Sequence, residues 1–465
     1  MKTKWNDRIW DVIIGSIILV IGMMYVSLIF NPNIWTDEAY TIELVGKHSI
    51  KEVIAGTAND VHPPFYYLIV KVFVASFGNQ LQVYKLVSIV PMIATMLLAL
   101  TNIKPWFGKK TAILYVLFCN AIPCVMEYGV QVRMYSWAMF FITLCGVAAY
   151  GVLHTEQKWY WVLLTVGAVT SCYTHNFAMI SAVFIYLLLG VFLIVKKKSS
   201  IKVWLASGVI VSCIYLPWLL VLYKQTQNRV GNYWIEEITG ETICGYFADL
   251  FGTELPYTTG VFVLLLLITV FLCICGWKKR KQESLYSMGL ILVPILTALA
   301  GVLVSIYITP FFIARYVIPC MGLLALAFAI ALGQERNVSY GILCLFLVCT
   351  TGHMYMETYQ EEYEGTHTEE LLSFMQEHLG EQDIILYNYE IYDFIYACYF
   401  DEEQLCFLSD MDFASTDYET IWYFDSCMSP WLSTDTLEMY GLEKEYIDIM
   451  GIEQNDFILY KIKRR

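Results

Sequence analysis

From Val12 to Phe30 the chain carries no charged side chain, and similar apolar stretches recur at Leu86–Leu100, Thr111–Val125, Tyr135–Leu153, Trp159–Ser171, Phe177–Val195, Val203–Tyr223, Val261–Trp277, Leu285–Ile308, Tyr316–Leu332 and Val338–Tyr355. A helix of about 20 apolar residues crosses the ~30 Å hydrocarbon core of a bilayer, and several of these runs reach that length. With 58% hydrophobic and only 15% charged residues, the chain cannot cover a water-exposed surface with polar groups, which excludes an ordinary soluble enzyme. The expectation is an α-helical polytopic membrane protein with about eleven spans. The Trp159 run falls short of that length, and the first run reads as a retained anchor.

Lysine and arginine in short loops mark the cytoplasmic side. Lys2, Lys4 and Arg8 precede the first run, Lys104, Lys109 and Lys110 follow the second, and Lys196–Lys198 and Lys278–Lys281 follow the sixth and eighth. Every second connection is basic. This alternation places loops 31–82 and 224–257, the Cys172–Asn176 turn and the C-terminal tail on the extracytoplasmic face of a multi-pass cell-membrane protein. Of the 42 acidic residues, 26 follow Tyr355, so the tail is a separate acidic body: residues 1–355 form the membrane domain and 356–465 a small α/β domain. Strands are expected at Asp383–Tyr389, Gln404–Leu408, Thr420–Phe424 and Phe457–Lys461, with a helix at Tyr392–Tyr399 completing a βαβ unit. No GxGxxG or GxxxxGK sequence occurs, and no nucleic-acid partner is expected.

Charged groups beside hydrocarbon are costly to desolvate, so their clustering at one membrane surface points to function. Asp37 and Glu38 stand just past the first run, in Trp35-Thr36-Asp37-Glu38-Ala39. Adjacent residues of a regular element cannot both enter one pocket, so one carboxylate would do chemistry while the other binds or positions. The same pair could instead open a helix, with Thr36 or Asp37 as its cap. Asp60 and His62 lie in Asp60-Val61-His62-Pro63-Pro64, where the prolines hold His62 extended and start a helix. With His175, at another outer end, they could ligate a divalent metal ion, although the spacing is not diagnostic. Arg133 and Arg315 begin spans at the outer face, against the charge bias. Either they snorkel to headgroups or they share a lipid-phosphate site, since guanidinium presents a planar fork to phosphate oxygens.

These segments together resemble the membrane glycosyltransferases of the C-type fold, in particular the bacterial relatives of protein O-mannosyltransferases and lipid A aminoarabinose transferases. The resemblance is carried by Trp35-Thr36-Asp37-Glu38-Ala39, Asp60-Val61-His62-Pro63-Pro64-Phe65-Tyr66-Tyr67, Arg133-Met134-Tyr135, Tyr173-Thr174-His175 and Arg315-Tyr316, all in the family's order, to about residue 335. It implies an inverting glycosyltransferase that moves a hexosyl or pentosyl group from a polyprenyl-phosphate donor to an extracytoplasmic acceptor: a cell-envelope glycan, a lipid or a protein. It implies further that Asp37, by position, is the general base, that Glu38 assists, and that Arg133, Tyr135, Arg315 and Tyr316 hold the donor phosphate. Asp60, His62 and His175 would line the pocket. A flippase or transporter for a lipid-linked sugar is the competing class, but such sites lie near the bilayer midplane, and here the acids collect at one surface.

Overall fold

The computed structural model describes residues 2–465 apart from 156, 197–198, 230–234, 236, 253–255, 279–280, 334–336, 364–366, 416–417 and 454. Among the described residues nine helices are long and apolar enough to cross a membrane: Asp7–Leu28, Leu81–Phe107, Tyr135–His154, Asn176–Val195, Ile201–Gln227, Thr258–Lys278, Gln282–Tyr307, Ala314–Leu332 and Val338–Tyr359. The expected count of eleven is therefore corrected to nine candidates. In the Thr111–Val125 run, Ile122 turns extended ahead of Pro123, leaving a helix of 13 residues, Lys109–Ala121. A residue before proline is pushed out of the helical region, and 13 residues reach only about 20 Å. That helix is buried from Thr111 to Ala121, so it fills the interior and does not face lipid. The Trp159 run forms Trp159–Thr174, 16 residues, also below span length.

Close backbone approach sets the packing of these helices. A Cβ at Gly151 would meet the Tyr160 ring at 2.4 Å, so only glycine lets Tyr135–His154 lie against Trp159–Thr174 at that level. Residues 36–59 form two helices and not one continuous helix. Helix Thr36–Lys47 ends at His48, and a new helix, Ile50–Asn59, begins because Ser49 caps it. The Ser49 N–H donates to Glu52 Oε2 at 2.8 Å and Ser49 Oγ accepts from the Glu52 N–H, a reciprocal arrangement that favours a fresh start over a continuous helix. Phe65–Phe77 follows Pro63-Pro64 as a third short helix.

The chain divides into two compact units, Met1–Leu28 with Ser49–Met356, and Ile29–His48 with Glu357–Arg465. The second unit takes in a segment that composition had grouped with the membrane domain. Its sheet has the order β2-β1-β3-β5-β4, with β1 Ile384–Tyr387, β2 Leu405–Phe407, β3 Ile421–Asp425, β4 Leu442–Ile452 and β5 Asn455–Arg464. β1 pairs in parallel with β2 and β3, and helix Asp393–Tyr399 makes the crossover to β2, while β3, β5 and β4 run antiparallel. The core gathers Leu386, Ile421, Tyr423, Leu442 and Ile462. Within the unit, helix Thr36–Lys47 packs on Asp393–Tyr399: Tyr40 meets Phe394 edge-on at 6.1 Å, the Tyr399 hydroxyl donates to the Pro32 carbonyl, and Lys47 pairs with Glu402.

Candidate functional site

His175 is the residue from which the site in the membrane unit is best built. It joins helices Trp159–Thr174 and Asn176–Val195 in an extended conformation, φ −156° and ψ 136°. Its Nδ1 accepts the Phe177 N–H at 3.1 Å, capping the second helix. A ring nitrogen that accepts carries a lone pair, so in the neutral ring the proton resides on Nε2. Nε2 is buried with no hydrogen-bond partner among the described residues. The cap thus fixes the tautomer and leaves a donor for something outside the protein.

His62 stacks on His175, ring centroids 5.5 Å apart and planes at 27°. Its loop is pinned from two directions: Asn176 Nδ2 donates to the Val61 carbonyl at 2.9 Å, and Gln225 Nε2 donates to the Thr57 and Ala58 carbonyls at 2.9 and 3.2 Å. Tyr135 and Tyr316 flank His175 at 5.5 and 5.4 Å, and Tyr128 stands edge-on to Tyr135 at 5.1 Å. Tyr316 and Arg315 sit on the 3-10 segment Ala314–Cys320, whose approach is fixed by Phe311 and Phe312 N–H groups donating to Ser305 Oγ at 3.2 and 3.0 Å. Arg133 is buried in the turn before Tyr135–His154, and that turn is held where Ser88 Oγ donates to the Gln131 carbonyl.

Burial lowers both histidines, and the Arg133 and Arg315 guanidinium groups push them further in the same direction. His62 falls well below its ordinary value and His175 to about 3. Both rings are therefore neutral near pH 7, and the fixed charge facing them is positive. Arg315 is also hydrogen-bonded to Tyr128, whose phenol is raised by burial and by Glu127 against the opposing pull of that arginine. Two permanent cations beside neutral N–H donors form an environment suited to an anion with several acceptor oxygens.

A cavity of about 240 Å³ opens onto this cluster, lined by His62, His175, Asn176, Gln225 and Tyr316 among apolar side chains from the flanking helices. Arg315 lines a second cavity of about 340 Å³ with Glu127, Tyr128 and Asp249. Tyr246, Leu250 and Ala314 belong both to that polar cavity and to an apolar cleft of about 230 Å³ between helices Gly240–Phe251 and Gln282–Tyr307. A charged head beside a hydrocarbon slot is the form of site that takes an amphiphile.

The remaining expected residues are placed differently. Asp60 is the C-cap of Ile50–Asn59, its N–H donating to the Gly56 carbonyl at 3.0 Å, and it does not line the 240 Å³ cavity. The expected metal triad of Asp60, His62 and His175 is not assembled. Among the described residues no group of three or more His, Cys, Asp or Glu side chains could hold a metal ion, and stacked imidazoles present parallel faces in place of converging lone pairs. Asp37 and Glu38 belong to the other compact unit. There Glu38 is buried and its Oε2 accepts the Trp35 N–H at 3.2 Å, so it, and not Thr36 or Asp37, closes the start of the helix. Asp37 sits half-buried in the first turn, where the helix dipole favours a carboxylate.

One residue escaped the sequence reading. Lys85 is fully buried within helix Leu81–Leu98, one turn before Ser88 on the face that meets the Arg133 turn. An ionisable residue beside an apolar span is the available signal, but the uninterrupted apolar run begins one residue later, at Leu86.

Residues 61–220 match the family model described as dolichyl-phosphate-mannose-protein mannosyltransferase. No curated protein matches the sequence. Among solved structures the chain is similar to ArnT from Cupriavidus metallidurans in the apo state, with a TM-score of 0.64 at 13% identity over 98% of both chains. It is equally similar to the same protein bound to undecaprenyl phosphate, with a TM-score of 0.64 at 13% identity over 97% of this chain and 98% of the other. By fold this chain is similar to the solved ArnT structures, with a small C-terminal sheet domain, and by sequence it is similar to the mannosyltransferase family across residues 61–220.

Proposed function

We propose that the enzyme transfers a sugar from a polyprenyl-phosphate donor to an acceptor on the extracytoplasmic face, with inversion at the anomeric carbon. The observation that carries this reading is the buried pair of neutral histidines flanked by Arg133 and Arg315, with the His175 Nε2–H directed by its capping bond. A phosphate diester linking lipid and sugar carries one negative charge, and a second develops when the sugar departs. Donors already in place where that charge appears stabilise the transition state more than the ground state. The likeness to a fold captured with undecaprenyl phosphate supports the same class of lipid here.

In this mechanism the acceptor hydroxyl gives its proton to the Asp37 carboxylate as its oxygen bonds to the anomeric carbon. The bond from that carbon to the phosphate oxygen breaks, and the lipid phosphate leaves with the electron pair toward Arg133 and Arg315. One displacement reverses configuration once. Glu38, engaged in closing its helix, positions Asp37 and does not accept the proton.

The test is to reconstitute the purified protein with synthetic polyprenyl-phosphate sugars and cell-envelope extracts, follow sugar transfer by mass spectrometry, and assign the product anomer by NMR. Transfer with inversion, lost in Asp37→Asn, is expected. A product with retained configuration would overturn the single-displacement mechanism.

A further inference from the structure

Gln225 is a buried polar side chain among neighbours that are not. It sits near the end of helix Ile201–Arg229 and is 6% exposed, while Lys224, Thr226 and Gln227 beside it are exposed. Both hydrogens of its amide are spent on the last turn of helix Ile50–Asn59, at the Thr57 and Ala58 carbonyls. Those carbonyls are among the acceptors a helix leaves unpaired at its C-terminal end. Turning the amide over would set its oxygen against two carbonyl oxygens, so the orientation is fixed. The consequence is an Oε1 that is buried and has no partner among the described residues.

Asn176 repeats the arrangement. Its Nδ2 donates to the Val61 carbonyl, and its Oδ1 is likewise buried without a partner among the described residues. Both residues line the cavity of about 240 Å³, next to His175. Among the described residues that line it, none is Asp, Glu, Lys or Arg. The fixed charges acting on its two histidines are the cations Arg133 and Arg315.

A partner for these two oxygens must come from a ligand, and its chemistry is narrow. A phosphate or carboxylate would oppose acceptor to acceptor, and a prenyl chain would leave both oxygens unpaired. An ammonium would enter a cavity with no anion in its lining, under the field of two arginines. Hydroxyl groups donate without carrying charge. The apolar part of the wall, Phe177, Met179, Ile180 and Leu222, suits the C–H face of a sugar ring held in place by a few polar groups.

We propose that this cavity seats the sugar of the lipid-phosphate donor, an assignment resting on the arginines' role as its phosphate site, and that Gln225 and Asn176 select a neutral sugar by each accepting from one of its hydroxyls. Sugar and phosphate are joined through a single oxygen, so their subsites must be contiguous. His175 belongs to both, lining the cavity and lying in the field of Arg133 and Arg315.

Binding to the purified full-length protein in nanodiscs is measured for polyprenyl-phosphate glucose, galactose, mannose and arabinose, for the glucosamine and glucuronic acid counterparts, and for the methyl diester of polyprenyl phosphate, which keeps lipid and charge without a sugar. We expect at least one neutral glycosyl diester to bind roughly tenfold or more tighter than the methyl diester, and the two charged sugars to gain less than about threefold over it. Gln225→Lys keeps N–H donors for the Thr57 and Ala58 carbonyls but offers no acceptor, and should cut the neutral-sugar preference by about fivefold or more. A preference retained in that variant would mean that Gln225 only holds the turn, and overturns its selecting role. No preference for any neutral sugar in the wild type, or a larger one for a charged sugar, overturns the proposal whether or not the variant folds. A preference seen only for free methyl glycosides added beside the methyl diester gives the cavity to the acceptor and overturns the donor assignment. A methyl diester that binds wild type and Arg133→Ala alike sinks the phosphate site and the proposal with it; one that binds the wild type more tightly while no sugar adds affinity sinks the sugar site alone.

Discussion

Replacing Arg133 separates its charge from its geometry. Its guanidinium is buried in a turn facing the histidine pair, so a phosphate there would be held at contact distance in a medium well short of bulk water. A hydrogen bond to a charged group contributes about 1.5–3 kcal/mol net, and a unit charge pair at ~4 Å about 4 kcal/mol at an effective dielectric of 20, two descriptions of largely the same energy. With Arg315 still present, the loss for Arg133→Ala should be about 3 kcal/mol in donor use, or roughly 100- to 300-fold in kcat/KM. Arg133→Lys keeps the charge without the fork and should lose only about 1–1.5 kcal/mol, roughly 5- to 15-fold. The assay is a donor titration at saturating acceptor, with melting temperature as the folding control. A second readout is internal to the protein. Because Arg133 lowers His175, its removal should move that imidazole upward, yet burial is the larger cause and should keep it below 6.5. Selectively labelled histidine NMR measures this. An Arg133→Ala protein with donor kcat/KM within twofold of wild type and an unmoved His175 would refute the assignment.

Asp37→Asn should abolish transfer by a factor of at least ~100 while leaving membrane insertion intact, measured as product formed per folded protein; activity above a tenth of wild type would remove Asp37 from the role of base. Glu38→Gln retains an acceptor for the Trp35 N–H and should melt within about a degree of wild type, whereas Glu38→Ala should lose ~1 kcal/mol of stability, as loss of a cap does. His175 has a folded-state value lowered to about 3 against an ordinary 6.5, so the neutral ring is favoured by the fold. Its stabilising contribution is complete above about pH 6.5 and is lost as pH falls from there toward 3, by up to ~1.4 kcal/mol per pH unit. His175→Asn keeps a helix cap but removes the titration, and its melting temperature should fall less steeply over that acidic range than that of the wild type.

Parts of this picture were legible in the residues themselves. Apolar runs located the helices, and charge at their ends singled out His62, Arg133, His175 and Arg315, which meet in the membrane unit. Proline at 123 was visible, but its effect on span count depended on where the preceding helix began. β4 was missed because Glu443, Lys444 and Glu445 disrupt its alternation, as suits an edge strand with one solvated side. The tautomer of His175 could not be read at all, since it follows from a capping bond formed only when two helices meet end to end. Nor could the joining of Ile29–His48 to the tail, which is a contact between segments roughly three hundred residues apart along the chain.

That last feature bears on the order of synthesis. Helix Thr36–Lys47 leaves the ribosome about 350 residues ahead of its packing surface, Asp393–Tyr399. At about 5–20 residues per second the interval is roughly 17–70 s, during which Tyr40 and the helix bearing Asp37 and Glu38 have nothing from the tail to dock on. A nascent or prematurely terminated chain could insert most of its spans and still hold its carboxylate helix unsupported. Synthesis of Asp393–Tyr399 is thus built into the assembly of the carboxylate helix, and truncations that remove it should fail through loss of that earlier segment's order as much as through loss of the sheet itself.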